Sequence, residues 1–193
     1  MTSESDTLGP TREEQKSSES PRKGGRTIVL VGLMGAGKSS VGKRLAKTMG
    51  LPFRDADHEI ETASNLTIQE FFDQHGEAAF RKGERKVISR LLAGPQHILA
   101  TGGGAFMDPE TRKLIRENGR SVWLHADLDI LLKRCLKRDT RPLLKTGEPR
   151  KILEDLIAVR YPVYSEADIT VESGDGPHEI VVKKIIDALS DFS

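Results

Sequence analysis

A glycine-rich segment near the start of the chain has the residue types and spacing that bind a triphosphate. Residues 32–39 read GLMGAGKS and fit the pattern G-x-x-x-x-G-K-[ST]. Glycine permits the tight turn that points backbone N–H groups inward around an anion, and a following helix adds the positive end of its dipole. Lys38 can reach the β- and γ-phosphates, and the Ser39 hydroxyl is a hard oxygen ligand for Mg²⁺. The segment predicts nucleoside triphosphate binding but leaves the phosphate acceptor open.

Two carboxylates follow a short predicted strand at residues 52–54. Asp55 and Asp57 read D-A-D, and the carboxyl edge of a parallel sheet is where ligands bind. We expect them on a strand-end loop, since residues two apart do not share a helix face. One carboxylate could orient Mg²⁺ through its water shell while the other accepts a hydrogen bond from a hydroxyl nucleophile. Alternatively, Asp57 caps the next helix, and the pattern leaves both interpretations open.

A glycine triplet and two arginines are further candidates on the acceptor side. Residues 101–105 read TGGGA after a predicted strand, where glycines let a ligand approach the backbone; an ordinary tight loop is the alternative. Arg81 lies in a predicted helix, and Arg160 ends another helix before Tyr161. Two arginines facing one carboxylate would form a bidentate clamp, whereas each alone is a solvated charge. The sequence does not show whether they converge.

One basic segment does not fit regular structure. Residues 138–150 read RDTRPLLKTGEPR and lie between two predicted helices. Long irregular stretches in compact domains are often lids or binding loops. A guanidinium from Arg138 or Arg141 over the γ-phosphate would stabilise charge in a loose phosphoryl transition state. An exposed basic loop is the alternative.

The hydrophobic pattern predicts the elements that position these groups. Buried-type strands alternate with amphipathic helices, which is typical of a parallel sheet with helices on both faces. We predict strands at residues 27–31, 52–54, 97–101, 122–125 and 169–171. We predict helices at 39–49, 68–92 with a break near Gly76, 109–117, 128–137, 151–159 and 179–189. Residues 1–25 are polar, contain no aromatic residue and are expected to be a disordered tail before a single domain at 26–193.

Composition excludes several classes of function. Lysine and arginine number 30 against 29 acidic residues, a balance that gives no global attraction to nucleic acid or to acidic membranes. No run approaches the roughly 18 apolar residues of a membrane span. The single cysteine, Cys135, rules out an internal disulfide, and no histidine spacing indicates a zinc site. We expect a cytoplasmic monomer with no nucleic-acid or membrane partner.

The ordered set of motifs resembles the shikimate kinase family, from the nucleoside-monophosphate-kinase-like group of P-loop proteins. The resemblance covers about residues 26–189. Its segments are GLMGAGKSSVGKRLA at 32–46, FRDADHEIE at 53–61, GEAAFRKGE at 76–84, ATGGGA at 100–105, RDTRPLL at 138–144 and RYPVY at 160–164. The resemblance implies a five-stranded parallel sheet in the order 2-3-1-4-5. It also implies transfer of the ATP γ-phosphate to a ring hydroxyl of shikimate, giving shikimate 3-phosphate and ADP, in aromatic amino-acid (chorismate) biosynthesis.

The resemblance also implies a role for each matching residue. Lys38 would contact the transferring phosphate, Asp57 would hold the acceptor hydroxyl, and Arg141 would close over ATP. Ser39 would bind Mg²⁺ with Asp55 assisting through water. The ATP site would comprise Gly35, Ala36, Gly37, Lys38, Ser39, Ser40, Arg138 and Arg141. The shikimate site would comprise Asp57, Arg81, Gly103 and Arg160, with both arginines on the carboxylate.

One loop departs from the family pattern. Residues 173–177 read SGDGP and lack the Arg or Gln that this loop often directs toward adenine in the family. The adenine contact from this loop is therefore open. A sugar-acid kinase such as gluconate kinase, a nucleoside monophosphate kinase and a catalytically silent nucleotide-binding protein are the alternative functions.

Overall fold

A parallel sheet organises the chain in the computed structural model, which describes residues 25–137 and 148–191. Its strands are β1 (Thr27–Val31), β2 (Phe53–Asp55), β3 (Ile98–Ala100), β4 (Gly119–His125) and β5 (Ile169–Glu172). The strand order is β2-β3-β1-β4-β5, and each neighbouring pair is parallel. The order implied by the resemblance is confirmed.

Helices cover both faces of this sheet. They are α1 (Lys38–Met49), α2 (Ala56–Ser64), α3 (Ile68–Ala93), α4 (Pro109–Asn118), α5 (Leu128–Leu136), α6 (Pro149–Tyr164) and α7 (His178–Asp191), with a 3₁₀ turn at Ala105–Met107. From β1 the chain crosses toward the β2 edge of the sheet, and from β2 onward it moves back toward the β5 edge. Because the crossovers are right-handed, α1 lies on one face and α3 to α6 lie on the other. Helix α7 packs beside α1. No helix of the described residues is long and apolar enough to cross a membrane.

The central strand β1 forms the middle of the core. All five of its residues are buried because it has neighbours on both edges and helices on both faces. The predicted stop of α1 at Gly50 and the predicted break of α3 near Gly76 are confirmed. Gly50 adopts φ +65° and ends α1, and Gly76 adopts φ +75° and kinks α3.

Helix α6 and strand β4 have bounds that differ from the sequence expectation. Helix α6 does not end at Arg160 but continues through Pro162 to Tyr164. Proline removes one backbone donor, yet the last turn still closes because Ser165 N donates to Tyr161 O at 2.9 Å. Strand β4 begins at Gly119, three residues before the predicted start. Its polar Ser121 is buried because its backbone N and hydroxyl both bond Asp168 Oδ2, at 2.7 and 2.8 Å.

Two further differences concern helix α2 and the proposed lid. Helix α2 was not predicted, and it includes Asp57. The last two residues of the proposed lid at 138–150 belong to α6, because Pro149 occupies the first turn of this helix. The rest of that segment up to residue 147 lies outside the described residues, as does the predicted tail up to residue 24.

Two helical glycines should respond oppositely to substitution. A Cβ at Gly42 in α1 would lie 2.6 Å from the Phe53 ring and 3.1 Å from Leu30, whereas one at Gly83 in α3 meets only Phe71, at 3.9 Å. We expect Gly42→Ala to lower the free energy of unfolding by about 1 kcal/mol, because overpacking exceeds the gain in helix propensity. The matched control Gly83→Ala should raise it by about 0.5–1 kcal/mol. Denaturant melts measure both changes, and a Gly42→Ala protein as stable as Gly83→Ala would contradict this packing.

Candidate active site

A cavity of about 610 Å³ opens at the carboxyl edge of the sheet. The glycine-rich turn after β1 forms its middle, and the residues after β2 and β3 meet there because the strands are parallel neighbours. Near the ends of β2 and β3, a part here called the acceptor end, the cavity is lined by Asp55, Asp57, Ile68, Phe72, Phe80, Arg81, Glu84, Thr101, Gly102, Gly103, Gly104 and Arg160. Beside the start of α1 it is lined by Gly37, Ser40, Arg134, Lys137 and His178.

The glycine-rich turn is shaped as an anion cradle. Gly35 and Gly37 adopt φ +82° and +96°, which L side chains rarely adopt, and Gly37 directly precedes α1. The first-turn N–H groups of this helix therefore face the turn. Lys38 Nζ donates to the backbone oxygens of Gly32 and Leu33, at 2.7 and 3.0 Å. The Lys38 side chain therefore folds back over the same turn that would bind a phosphate.

Groups distant in sequence hold the back of the cradle. Ser173 Oγ donates to Ala36 O at 2.8 Å, and Arg134 Nη1 donates to Gly35 O at 3.3 Å. A Cβ at Gly35 would lie 2.9 Å from the buried Cys135 sulfur, so this position tolerates only glycine. The sequence analysis did not identify Arg134 or Ser173, since nothing local shows that α5 and the end of β5 contact the turn.

A pair of hard oxygen ligands lies beside the cradle. Ser39 Oγ donates to Asp55 Oδ2 at 2.9 Å, and both residues line the cavity. Within residues 25–137 and 148–191 no group of three or more His, Cys, Asp or Glu could hold a metal by itself. One hydroxyl and one carboxylate suit Mg²⁺, which keeps several waters and takes other ligands from phosphates.

The two carboxylates where β2 meets α2 have different surroundings. Asp55 is the N-cap of α2, and its Oδ1 accepts a hydrogen bond from Asp57 N at 3.2 Å. The interpretation that Asp57 caps this helix is therefore wrong, as is its placement on a loop. Asp57 lies in the first turn of α2 and lines the cavity. Burial raises the pKa of its carboxyl and the charge of Asp55 raises it further, while Lys38 partly lowers it.

Arg81 is held by a buried carboxylate that the sequence analysis missed. Its Nη1 lies 2.7 Å from Glu84 Oε2, three residues along α3, and Glu84 is 2% exposed. The spacing i, i+3 in FRKGE is the signal that could have revealed the pair. Burial raises the pKa of Glu84, and Arg81 opposes this rise.

Both arginines converge on the glycine turn after β3. A Cβ at Gly103 would lie 3.1 Å from Arg160 Nη1, and one at Gly104 would lie 2.6 Å from Arg81 Nη1. Tyr164, one helical turn after Arg160, donates its hydroxyl to Gly103 O. The glycines therefore make room for the guanidinium groups of both arginines, which line the same cavity.

An apolar wall completes the acceptor end. Ile68, Phe72 and Phe80 line it, and the two phenylalanine rings stack with centroids 4.4 Å apart. An apolar wall, two guanidinium groups and a carboxylate beside a phosphate cradle suit a small carboxylate that carries hydroxyls. Of the residues predicted for the site, Arg138 and Arg141 lie outside the described residues.

Known proteins are similar to this chain in sequence and in fold. Residues 34–190 match the family model for shikimate kinase. Shikimate kinase from Paramagnetospirillum magneticum is 61% identical over 165 residues, which are 86% of this chain and 85% of that protein. Shikimate kinase from Caulobacter vibrioides is 57% identical, over 85% of this chain and 82% of that protein. The structure of shikimate kinase from Acinetobacter baumannii in complex with shikimate superposes with a TM-score of 0.83 at 37% identity, over 87% of this chain and 94% of that one.

The electrostatics of Asp57 can be tested without turnover. We expect its carboxyl to titrate above the ordinary aspartate value of 3.8, chiefly because of burial. Glu61→Gln should move the midpoint down, since the Glu61 charge contributes to the rise. The glutamine amide oxygen can still accept from Ile68 N, as Glu61 Oε1 does at 3.1 Å.

Carboxyl ¹³C NMR across an acid titration measures this midpoint in both proteins. Glu117→Gln, on the exposed surface of α4, is the control that should leave the midpoint unchanged. An Asp57 midpoint at or below 3.8 in the unsubstituted protein would contradict the electrostatics described here.

Proposed function

This chain belongs to the shikimate kinase family and transfers a phosphate from ATP to shikimate, and we propose that the cavity at the carboxyl edge of the sheet performs this transfer. The product is shikimate 3-phosphate with ADP, in chorismate biosynthesis. The observation that carries the proposal is that the anion cradle and the arginine pair open into one cavity. A donor phosphate and an acceptor carboxylate can therefore be bound side by side.

The acceptor end fits the parts of shikimate. Arg81 and Arg160 would grip its carboxylate by charge-assisted hydrogen bonds, and the Gly103 backbone would lie close to the ring. The apolar wall at Phe72 and Phe80 would pack against the ring carbons. Glu84 neutralises Arg81 and fixes its orientation, so that the guanidinium does not need to reorganise on binding.

The cradle would hold ATP by its phosphates. The backbone and side chains of residues 35–40 would bind the triphosphate, and Lys38 would exchange its bonds to the Gly32 and Leu33 carbonyls for the transferring phosphate. From the segment outside the described residues, Arg141 would close over ATP and Arg138 would lie against adenine. Mg²⁺ would be held by Ser39 and, through water, by Asp55, where it would neutralise charge on the phosphates.

Transfer would follow from this placement. A ring hydroxyl oxygen, held by Asp57, forms a bond to the γ-phosphorus as the bond from that phosphorus to the ADP oxygen breaks. Asp57 accepts the hydroxyl proton, and its raised pKa makes it a better proton acceptor than an ordinary aspartate. Most of the rate enhancement comes from positioning and charge neutralisation, because the transition state is loose.

Residues 26–193 would form the single catalytic domain, which is supported by the family match over 34–190, and residues 1–25 would be a tail without a catalytic task. Both substrates are small molecules, so neither nucleic acid nor membrane is required. We assign the protein to the cytoplasm as a monomer on the grounds of composition and chemistry.

An acceptor screen tests the function. ADP release coupled to NADH oxidation should require shikimate, with little turnover on gluconate or on nucleoside monophosphates. The product should carry its phosphorus as a monoester in the ³¹P spectrum. Turnover on gluconate that exceeds turnover on shikimate would contradict the assignment, and ADP release without phosphorylated product would indicate a nucleotide hydrolase.

Asp57→Asn should separate catalysis from folding. The α2 cap remains because Asp55 supplies it, so the melting temperature and ADP affinity should be unchanged. The amide cannot take the hydroxyl proton, and we expect kcat to fall at least about tenfold, toward the low end of general-base effects because the transition state is loose. Steady-state kinetics measure the loss, with Asp129→Asn, on the exposed start of α5, as control. Wild-type turnover would show that Asp57 is not the proton acceptor.

The arginine clamp predicts a selective loss of shikimate affinity. Arg160→Ala should raise the shikimate Kd about ten- to a hundredfold, since a charge-assisted bond to a carboxylate is worth about 1.5–3 kcal/mol. The ADP Kd should stay the same. Arg90→Ala, an exposed arginine on α3, is the control. Calorimetry measures both constants, and unchanged shikimate binding would disprove the clamp.

Arg81 needs a compensated variant because of its buried partner. Arg81→Ala should lose shikimate affinity and also stability, because it leaves the Glu84 charge buried without a counter-ion. The double variant Arg81→Ala/Glu84→Gln should recover melting temperature but not affinity. Recovery of affinity as well would show that Arg81 acts only by stabilising the fold.

A further inference from the structure

The two arginines of the acceptor end differ in what holds them in place. Arg81 is paired with the buried carboxylate of Glu84 at 2.7 Å. Within residues 25–137 and 148–191, Arg160 forms no ion pair with a carboxylate. A long, flexible cation at a binding site needs some other group to fix its orientation before a ligand arrives.

Tyr164 lies buried beside the guanidinium group of Arg160. It follows Arg160 by one turn of α6, and its side chain is fully buried. A Cβ at Gly103 would lie 3.1 Å from Arg160 Nη1 and 3.8 Å from the Tyr164 hydroxyl oxygen. The guanidinium and the hydroxyl therefore meet at the same glycine of the turn after β3.

The Tyr164 hydroxyl can act on the backbone and on the arginine at once. It donates its proton to Gly103 O, so that its lone pairs are left to accept from other donors. Burial raises the pKa of this hydroxyl, while the charge of Arg160 and a hydrogen bond between that guanidinium and the hydroxyl lower it. The hydroxyl oxygen thus joins the carbonyl of the glycine turn to the Arg160 cation.

The Tyr164 ring is fixed by aromatic neighbours from two other elements. Its centroid lies 6.4 Å from that of Phe106, in the 3₁₀ turn that follows the glycines, and 6.0 Å from that of Trp123 in β4. Both neighbours are buried. In a close-packed interior such a ring cannot shift without moving the side chains around it, so the hydroxyl is held at a defined point.

We propose that Tyr164 is a positioning residue that orients Arg160 for the carboxylate of the acceptor. The inference rests on the proposed function, because that function places the shikimate carboxylate on Arg160. A hydroxyl is uncharged, and unlike the Glu84 carboxylate beside Arg81 it orients a guanidinium without neutralising it. Arg160 therefore keeps its full charge for the incoming carboxylate and needs little reorganisation on binding.

Tyr164→Phe in the full chain removes the hydroxyl and keeps the ring. Calorimetry should give a shikimate Kd raised about three- to tenfold, less than for Arg160→Ala, because the arginine is still present but no longer held. The ADP Kd should be unchanged.

The matched control is Tyr161→Phe. Tyr161 lies on the same helix and donates its hydroxyl to another backbone oxygen, Ala126 O. Both variants should lower the melting temperature, because each leaves a carbonyl without its donor. Only Tyr164→Phe should weaken shikimate binding. An unchanged shikimate Kd in Tyr164→Phe, an equal loss of ADP affinity, or an equal loss of shikimate affinity in Tyr161→Phe would each overturn the inference.

A double-mutant cycle tests whether the hydroxyl acts through the arginine. In the Arg160→Ala background, Tyr164→Phe should change the shikimate Kd by less than about twofold, because the group that the hydroxyl orients is already absent. Losses that multiply in the double variant would show that the two residues act independently, and would overturn the inference.

A measurement on the unsubstituted protein covers the case in which Tyr164→Phe does not fold. The chain has two tyrosines, so labelling their Cζ with ¹³C gives two NMR signals, which Tyr161→Phe assigns. Saturating shikimate should move the Tyr164 signal more than the Tyr161 signal, and ADP alone should not. A Tyr164 signal that does not respond to bound shikimate would overturn the inference. If the unsubstituted protein bound no shikimate, the proposed function itself would fail, which is distinguishable from failure of Tyr164 alone.

Discussion

Strand β1 lies buried between β3 and β4, and all three run parallel. This constraint brings the turn after β1 beside the turn after β3, with Asp55 at the end of β2 one strand farther. The packing there leaves no room for a side chain at Gly32, since a Cβ at this position would lie 2.8 Å from Leu124 O. The anion cradle and the acceptor groups are therefore neighbours because of strand order, and the hydrogen bond from Ser39 to Asp55 joins them.

The two arginines of the cavity have different surroundings. Glu84 is buried and neutralises Arg81, whereas Arg160 lies against the glycine turn with Tyr164 beneath it. A buried ion pair contributes little to net stability, but its rigid geometry preorganises a cation for an incoming carboxylate. Burial also raises the pKa of Asp57, which suits a proton acceptor. In the proposed mechanism, the same desolvation would serve both substrate binding and transfer.

Local patterns in the sequence predicted the parts whose causes are local. The apolar run of β1, the cradle, α1 and the kink at Gly76 follow from residue types within a few positions. The strand order came from the resemblance. Local patterns did not separate the roles of Asp55 and Asp57, because both are good caps and the choice depends on where β2 ends. They also missed Arg134, Ser173 and Tyr164, whose contacts join segments that are 61 to 137 residues apart. The end of α6 was predicted too early because of Pro162, although the last turn of this helix tolerates a proline.

The central claim is that one cavity holds the acceptor carboxylate on two arginines and an acceptor hydroxyl on Asp57, beside the cradle. A crystal structure of the full chain with ADP and shikimate tests it most directly. The account predicts carboxylate oxygens within hydrogen-bond distance of both Arg81 and Arg160, and a ring hydroxyl on Asp57 facing the terminal phosphate of ADP. Shikimate bound with its carboxylate away from these arginines, or with no hydroxyl on Asp57, would contradict it.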